Sequence, residues 1–369
     1  MLDGDVPNPT PRKQGRPHSQ CLCAPVRGDL SLETSASSVW CHVMWAIPIT
    51  AVLLALALPP TAASEEAPPA PFSLQPLTGD VFTVPAVLQS EFDGDYVRVA
   101  YVPAADSDRT AEALVQSTPA PPQQELTFVS NGRQLKYLVV GDLSRPARMI
   151  FLYLHGLGDD RSQGMREKQF GGAYARLKRL AAENDAIYIS PDFSGFGRRA
   201  EEQIAALIAD YAGRSPGAPG FVACLSVGGK LCWRLAGNAG DSSPLRGILL
   251  LSASVDRDFV QHVASSRVHI YLGIGAKDAI YSWKSQVAFF RDVKTAAPDY
   301  PIRLTIFDGG EHATAVRLTD WVAVLNWMLA GADARERGTS TGVAAEPPCP
   351  RPRPEPGADP GPTTYCNTP

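Results

Sequence analysis

Six short apolar runs recur along the middle of the chain: Met149–Leu154 (MIFLYL), Ala186–Ser190 (AIYIS), Phe221–Leu225 (FVACL), Ile248–Leu251 (ILLL), Val268–Ile274 (VHIYLGI) and Ile302–Phe307 (IRLTIF). Runs without polar alternation predict strands buried on both faces, and therefore a parallel sheet. The segments Gly172–Asn184, Arg199–Arg214, Gly229–Ala236, Ser282–Ala297 and Ala313–Ala330 carry helical spacing instead. In the last of these, Val316, Trp321, Val324, Leu325 and Met328 share one face. Alternating strands and helices predict an α/β, doubly wound, mostly parallel sheet. Ahead of them, Leu126–Val129 and Leu135–Val140 bracket Asn131-Gly132, which predicts a hairpin at an antiparallel edge. Tyr96–Tyr101 alternates and is a further strand candidate.

Proline distribution sets the boundaries. The 33 prolines crowd the N-terminus, the stretch from Pro59 to Pro76, Pro119–Pro122 and the end after Pro347. We read 1–43 as a disordered leader or a mis-called extension, with Met44 as a second possible start. Residues 44–63 form a signal peptide: the run AIPITAVLLALAL precedes small residues, with cleavage near Ala63. Its length is short for a permanent membrane anchor. Residues 64–124 form a Pro/Ala-rich flank with possible extra strands, 125–331 the α/β domain, and 332–369 a proline-rich disordered tail. The expected location is therefore outside the cytoplasm, periplasmic or secreted.

Net charge is -4 with both signs interspersed, 44% of residues are hydrophobic and 20% are charged. That composition fits a soluble domain and carries no electrostatic footprint for nucleic acid. The spacings of the seven cysteines match no zinc site. Cys224 and Cys232 lie eight apart across a predicted turn.

Candidate chemistry gathers where the apolar runs end. Ser226, in CLSVGG, follows one run and opens a predicted helix, a sharp bend that would lift its hydroxyl clear of the sheet edge. His155-Gly156-Leu157-Gly158-Asp159 ends MIFLYL. Such a glycine-rich loop can turn backbone N–H groups toward a nucleophile, and the N–H groups of Leu157 and Val227 are the expected oxyanion hole. His155 supports the loop. Asp278 follows VHIYLGI, and His312 follows IRLTIF. A serine needs a histidine to take its proton, and the histidine needs a carboxylate to fix its tautomer. Ser226, Asp278 and His312 supply the three groups at carboxyl ends of strands, which share one edge of a parallel sheet. His262 and His269 lie off those ends, Asp256 and Asp258 are rival acids, Asp308 is read as shaping a glycine turn, and Glu311 faces solvent. Phe193, Phe196, Tyr281 and Trp283 are candidates for lining an acyl pocket, against ordinary core packing. Gly228-Gly229-Lys230 shares part of a P-loop, but Leu231 stands where Ser or Thr must hold magnesium. Gly273 and Gly275 begin a dinucleotide pattern that Asp278 breaks.

Taken in order, HGLGD, CLSVGG, AKD and GGEHAT resemble the α/β-hydrolase superfamily over about residues 126–331. The HGLGD loop is similar to that of small carboxylesterases and acyl-thioesterases. Cys224 departs from the family's usual first glycine. The resemblance implies an eight-stranded α/β-hydrolase sheet, a Ser-His-Asp site, no metal and no organic cofactor. Only sixteen residues, 252–267, separate two strand runs where many members carry a cap, so no large cap domain is expected. The implied reaction is hydrolysis of a small-molecule or lipid-like carboxylic ester or thioester through an acyl-enzyme. A serine peptidase or amidase, or a non-catalytic binding protein on the same fold, are the alternatives.

Overall fold

The computed structural model describes residues 71–80, 82–102, 121–240, 242–262, 266 and 268–340. The leader, the export segment and the tail after Ser340 lie outside the described residues.

The strands are β1 (Val87–Glu91), β2 (Tyr96–Ala100), β3 (Gln123–Ser130), β4 (Arg133–Val140), β5 (Met149–Leu154), β6 (Ala186–Pro191), β7 (Gly220–Leu225), β8 (Leu245–Leu251), β9 (His269–Gly275) and β10 (Ile302–Asp308). They form one sheet in the order β1-β2-β10-β9-β8-β7-β5-β6-β4-β3. From β6 through β5, β7, β8, β9 and β10 to β2, every neighbouring pair is parallel. β4 joins β6, β3 joins β4 and β1 joins β2 in antiparallel pairs. The sheet thus has ten strands where the resemblance implied eight. The two extra strands come from the flank, where β2 pairs with the edge of β10 and takes Arg98 to an ion pair with Asp308. Asp308 is therefore a cross-strand partner, which corrects its reading as a turn-shaping residue.

The hairpin closes as its sequence requires. Ser130 pairs with Arg133, and both turn residues have positive φ, 51° at Asn131 and 71° at Gly132. That conformation matches the right-handed twist of the two strands.

Each parallel strand feeds two cores. Val222 and Cys224 of β7 face one side with helices α2 (Arg198–Arg214), α3 (Gly229–Gly237) and α4 (Trp283–Ala296). Phe221, Ala223 and Leu225 face the other, with α1 (Ala173–Glu183), α5 (Thr314–Leu318) and α6 (Trp321–Ser340). Burial on both faces is why these strands read as unbroken apolar runs. Val316, Trp321, Val324, Leu325 and Met328 do share the second core. They sit on two helices, not one, because the chain breaks at Thr319-Asp320. There Asp320 Oδ1 accepts the Ala323 N–H at 3.0 Å and caps the new helix. That helix continues to Ser340, past the point where the tail was expected to begin.

The flank also docks onto the helices. Asn326 accepts the Leu74 N–H at 2.7 Å and donates to the Leu74 carbonyl at 3.0 Å. Arg176 of α1 forks onto Asp80. Between β8 and β9 the described residues hold one short 3-10 turn, Arg257–His262, and no helical cap.

Strand order reverses at β5: the chain leaves β5 for β6 on one side and returns as β7 on the other. The loops following β5 and β7 therefore diverge at their carboxyl ends. That is where open α/β sheets form their binding crevice.

Candidate active site

β7 ends at Leu225, and Ser226 follows with φ 55° before α3 starts at Gly229. Left-handed backbone at a non-glycine residue costs on the order of 1–2 kcal/mol. The cost buys a bend of one residue between a buried strand and a helix. The elbow crosses the end of β5 so closely that a Cβ on Gly228 would lie 2.7 Å from the His155 carbonyl oxygen. Only glycine fits there. Cys224, which replaces the glycine expected two residues before Ser226, forms a disulfide with Cys232 of α3, with the Cα atoms 6.2 Å apart. The strand entering the elbow and the helix leaving it are thus covalently joined.

Two further loops meet at the same edge. Lys277 N–H donates to the Gly310 carbonyl at 2.7 Å, and Ala276 N–H to the Phe307 carbonyl at 2.9 Å. This backbone pairing brings Asp278 against His312. His312 Nδ1 lies 3.1 and 3.0 Å from the two Asp278 carboxylate oxygens. A carboxylate only accepts, so Nδ1 carries the proton and Nε2 is left as the basic nitrogen. The Asp278 side chain is 0% exposed and that of His312 28%. Burial pushes the Asp278 carboxyl up. Hydrogen bonds from His312 and from the Tyr281 and Ile280 N–H groups outweigh that and hold it below the ordinary aspartate value. Among the described residues, Ser226 and His312 are not joined by a hydrogen bond.

Ser252, at the end of β8, was not singled out by sequence. Its buried hydroxyl accepts the Ala313 N–H at 3.1 Å, and Ala313 has φ 66°. It thereby fixes the backbone just after His312. A serine closing an apolar run was the available signal.

The loop after β5 packs on the elbow. A Cβ on Gly156 would lie 3.6 Å from Ser226 Cβ. His155 is buried, stacks on Phe193 at 4.0 Å between ring centroids, and holds the Gly156 carbonyl through Nδ1 at 2.9 Å. Gln163, also missed, accepts the Gly156 N–H at 3.2 Å. The Leu157 N–H has no acceptor among the described residues, and the Leu157 side chain is 81% exposed. Gly158 continues the loop with φ 80°. Val227 lies in the first turn after the elbow, where N–H groups lack intrahelical partners. The arrangement therefore sets a strained serine, a histidine-carboxylate pair and a donor-bearing loop at the switch point of a doubly wound sheet.

The chain has the α/β-hydrolase fold.

No protein-family model and no curated protein matches the sequence. Solved structures similar to it include esterases and a hydrolase. A feruloyl esterase module from Clostridium thermocellum has 14% identity and a TM-score of 0.46, over 57% of this chain and 88% of that one. The Pyrococcus furiosus esterase Pf2001 has 12% identity and a TM-score of 0.42, over 59% and 94%. A dienelactone hydrolase, so described, from Klebsiella pneumoniae has 14% identity and a TM-score of 0.40, over 57% and 98%.

The four aromatic candidates of this α/β-hydrolase fold take different positions. Phe193 is buried beneath His155. Tyr281 lies beside His312, with ring centroids 6.0 Å apart. Trp283 sits under the Arg98 guanidinium. Phe196 lines a polar cleft of about 690 Å³ with Lys230, Trp233, Arg234 and Ser254–Asp258. Asp256 and Asp258, the rival acids, belong to that cleft, and the described contacts of the His312 ring go to Asp278 and Tyr281. His269 packs edge-on against Trp327, and Glu311 is exposed. The described residues hold no cluster of metal-binding side chains. None of their helices is long and apolar enough to cross a membrane.

Proposed function

We propose that this protein is an exported serine hydrolase that cleaves carboxylic esters or thioesters. The observation that carries the reading is the left-handed φ of 55° at Ser226, at a strand-to-helix elbow whose edge also holds the His312–Asp278 pair. Ser252 also has a left-handed φ, 46°, but of the two only Ser226 stands directly between a buried strand and the helix that follows it, the bend that exposes a nucleophile.

In this reading, His312 Nε2 takes the proton from Ser226 Oγ as the hydroxyl attacks the substrate carbonyl. Asp278 keeps the imidazole in the required tautomer and stabilises the imidazolium. The tetrahedral oxyanion is stabilised by the Leu157 and Val227 N–H groups, an interaction that strengthens as charge develops. His312 then protonates the leaving group, and water attacks the acyl-enzyme by the same route. Exposed Leu157 and Ile280 beside the site favour an apolar acyl group, and the polar cleft beyond Phe196 favours a hydrophilic leaving group. Export is supported by the apolar run before Ala63 and by a disulfide, a bond that persists in oxidising compartments.

The test is a panel of p-nitrophenyl esters, acyl thioesters and aminoacyl anilides, assayed with the wild type and with Ser226→Ala. Ester and thioester turnover that falls to background in the variant is expected. Turnover of anilides alone would make the protein an amidase, and no turnover of any of them by the folded wild type would contradict the proposal.

A further inference from the structure

We propose that Gln163 is the positioning residue of the oxyanion loop, and that it acts through the Gly156 N–H; the inference rests on the hydrolase reading above. Gln163 is buried in a short 3-10 turn, Gln163–Met165, that follows the loop. Its Oε1 accepts the Gly156 N–H at 3.2 Å and the Tyr153 hydroxyl at 3.3 Å. Its Nε2 donates to Asp159 Oδ2 at 2.5 Å. Gly156 N–H can only donate and the Asp159 carboxylate can only accept. A neutral amide therefore fits between them in one orientation, whereas a carboxylate would satisfy Gly156 and repel Asp159.

The turn that carries Gln163 is itself locked in place. Tyr188 donates to the Gly164 carbonyl at 2.7 Å, and a Cβ on Gly164 would lie 2.7 Å from Ser190 Oγ and 2.9 Å from Tyr153 and Tyr188 atoms. Tyr174 donates to the Tyr153 oxygen at 2.5 Å, and Arg166 pairs with Asp159 at 2.7 Å. Burial pushes all three tyrosines up, so they remain neutral donors. The loop is consequently gripped on both sides of one residue. Gln163 holds the Gly156 N–H, and His155 Nδ1 holds the Gly156 carbonyl. In a planar trans peptide the next N–H points opposite to that carbonyl. The two bonds thus fix the Gly156–Leu157 peptide and set the direction of the Leu157 N–H, the donor the mechanism needs.

The experiment measures kcat and KM for a p-nitrophenyl ester in wild type, Gln163→Leu and Gln163→Glu, with melting temperatures for each. Misplacing one donor by about 1 Å costs up to about 100-fold in rate. Gln163→Leu is expected to lose tenfold or more in kcat, with KM within about threefold. Gln163→Glu is expected to be slow at pH 8 and to recover relative to wild type as pH falls toward 5. Protonation there restores a donor toward Asp159, and dividing by the wild-type rate at each pH removes whatever pH dependence the two proteins share. The groups facing this position are Asp159, Arg166 and the three tyrosines. If Gln163→Leu does not fold, the pH-dependent recovery of Gln163→Glu carries the test alone. A kcat within twofold of wild type for a folded Leu variant, or a Glu variant whose relative rate does not change with pH, would overturn the inference. A wild type inactive on every ester would instead overturn the hydrolase reading on which it rests.

Discussion

Replacing Asp278 by asparagine removes the acceptor that fixes the His312 tautomer while keeping the size of the side chain. An asparagine can present its NH₂ group to Nδ1, which then becomes the unprotonated nitrogen, and Nε2 loses its function as base. Loss of kcat by roughly 10⁴-fold is expected. A second consequence follows from the lowered pKa of the Asp278 carboxyl. A group depressed on folding contributes stability that is fully present above its unfolded value, about 3.9, and is lost as pH falls through the lower folded value. The melting-temperature gap between wild type and Asp278→Asn should therefore be constant near neutrality and narrow in acid below about pH 4; a gap that widens in acid would reverse the sign. Ser226, Asp278 and His312 were legible as candidates because each lies within five residues of the end of an apolar run, and strand ends in a parallel sheet share an edge. Ser252 and Gln163 were not. Each acts by holding a backbone N–H that the fold brings close, in one case 61 residues away; a serine closing an apolar run marks Ser252, but nothing local names the N–H it holds.

Among elements, the strands were the most readable, because burial on both faces removes polar alternation. The division of the last helix was hidden for a related reason. Apolar spacing continues from Val316 to Met328 through Thr319-Asp320, so periodicity alone gives one helix. Asp320→Ala should cost about 1 kcal/mol, measured by denaturant unfolding, since it frees the Ala323 N–H. The disulfide was equally hidden, as a spacing of eight fits several readings. Cys224 and Cys232 bridge β7 and α3 on either side of the candidate nucleophile. Replacing both with alanine should lower stability by about 2–4 kcal/mol. Reductant should destabilise the wild type but leave the double variant unchanged. A wild type insensitive to reductant under unfolding conditions would remove the bond from the account.

At the scale of the molecule, the flank is part of the sheet and not a linker around it. Tyr96 and Val99 of β2 are buried, Leu74 and Leu77 join the core under α6, and Asn326 binds both backbone groups of Leu74. A chain starting at residue 121 would leave β10 as an open edge with its backbone groups unpaired. Such a truncation should elute from size exclusion as aggregate, while a chain starting at residue 67 should remain monodisperse. Alternation at Tyr96–Tyr101 hinted at β2. Its parallel pairing with β10, about two hundred residues later, could not be read from either segment alone. In the proposed function, this architecture serves to activate Ser226. The most direct measurement is labelling by a fluorophosphonate probe, read by mass spectrometry of the peptides, in wild type and Ser226→Ala. The account predicts a single adduct on Ser226 that is absent from the variant. A folded wild type without adduct, or an adduct on another serine that survives the substitution, would contradict it.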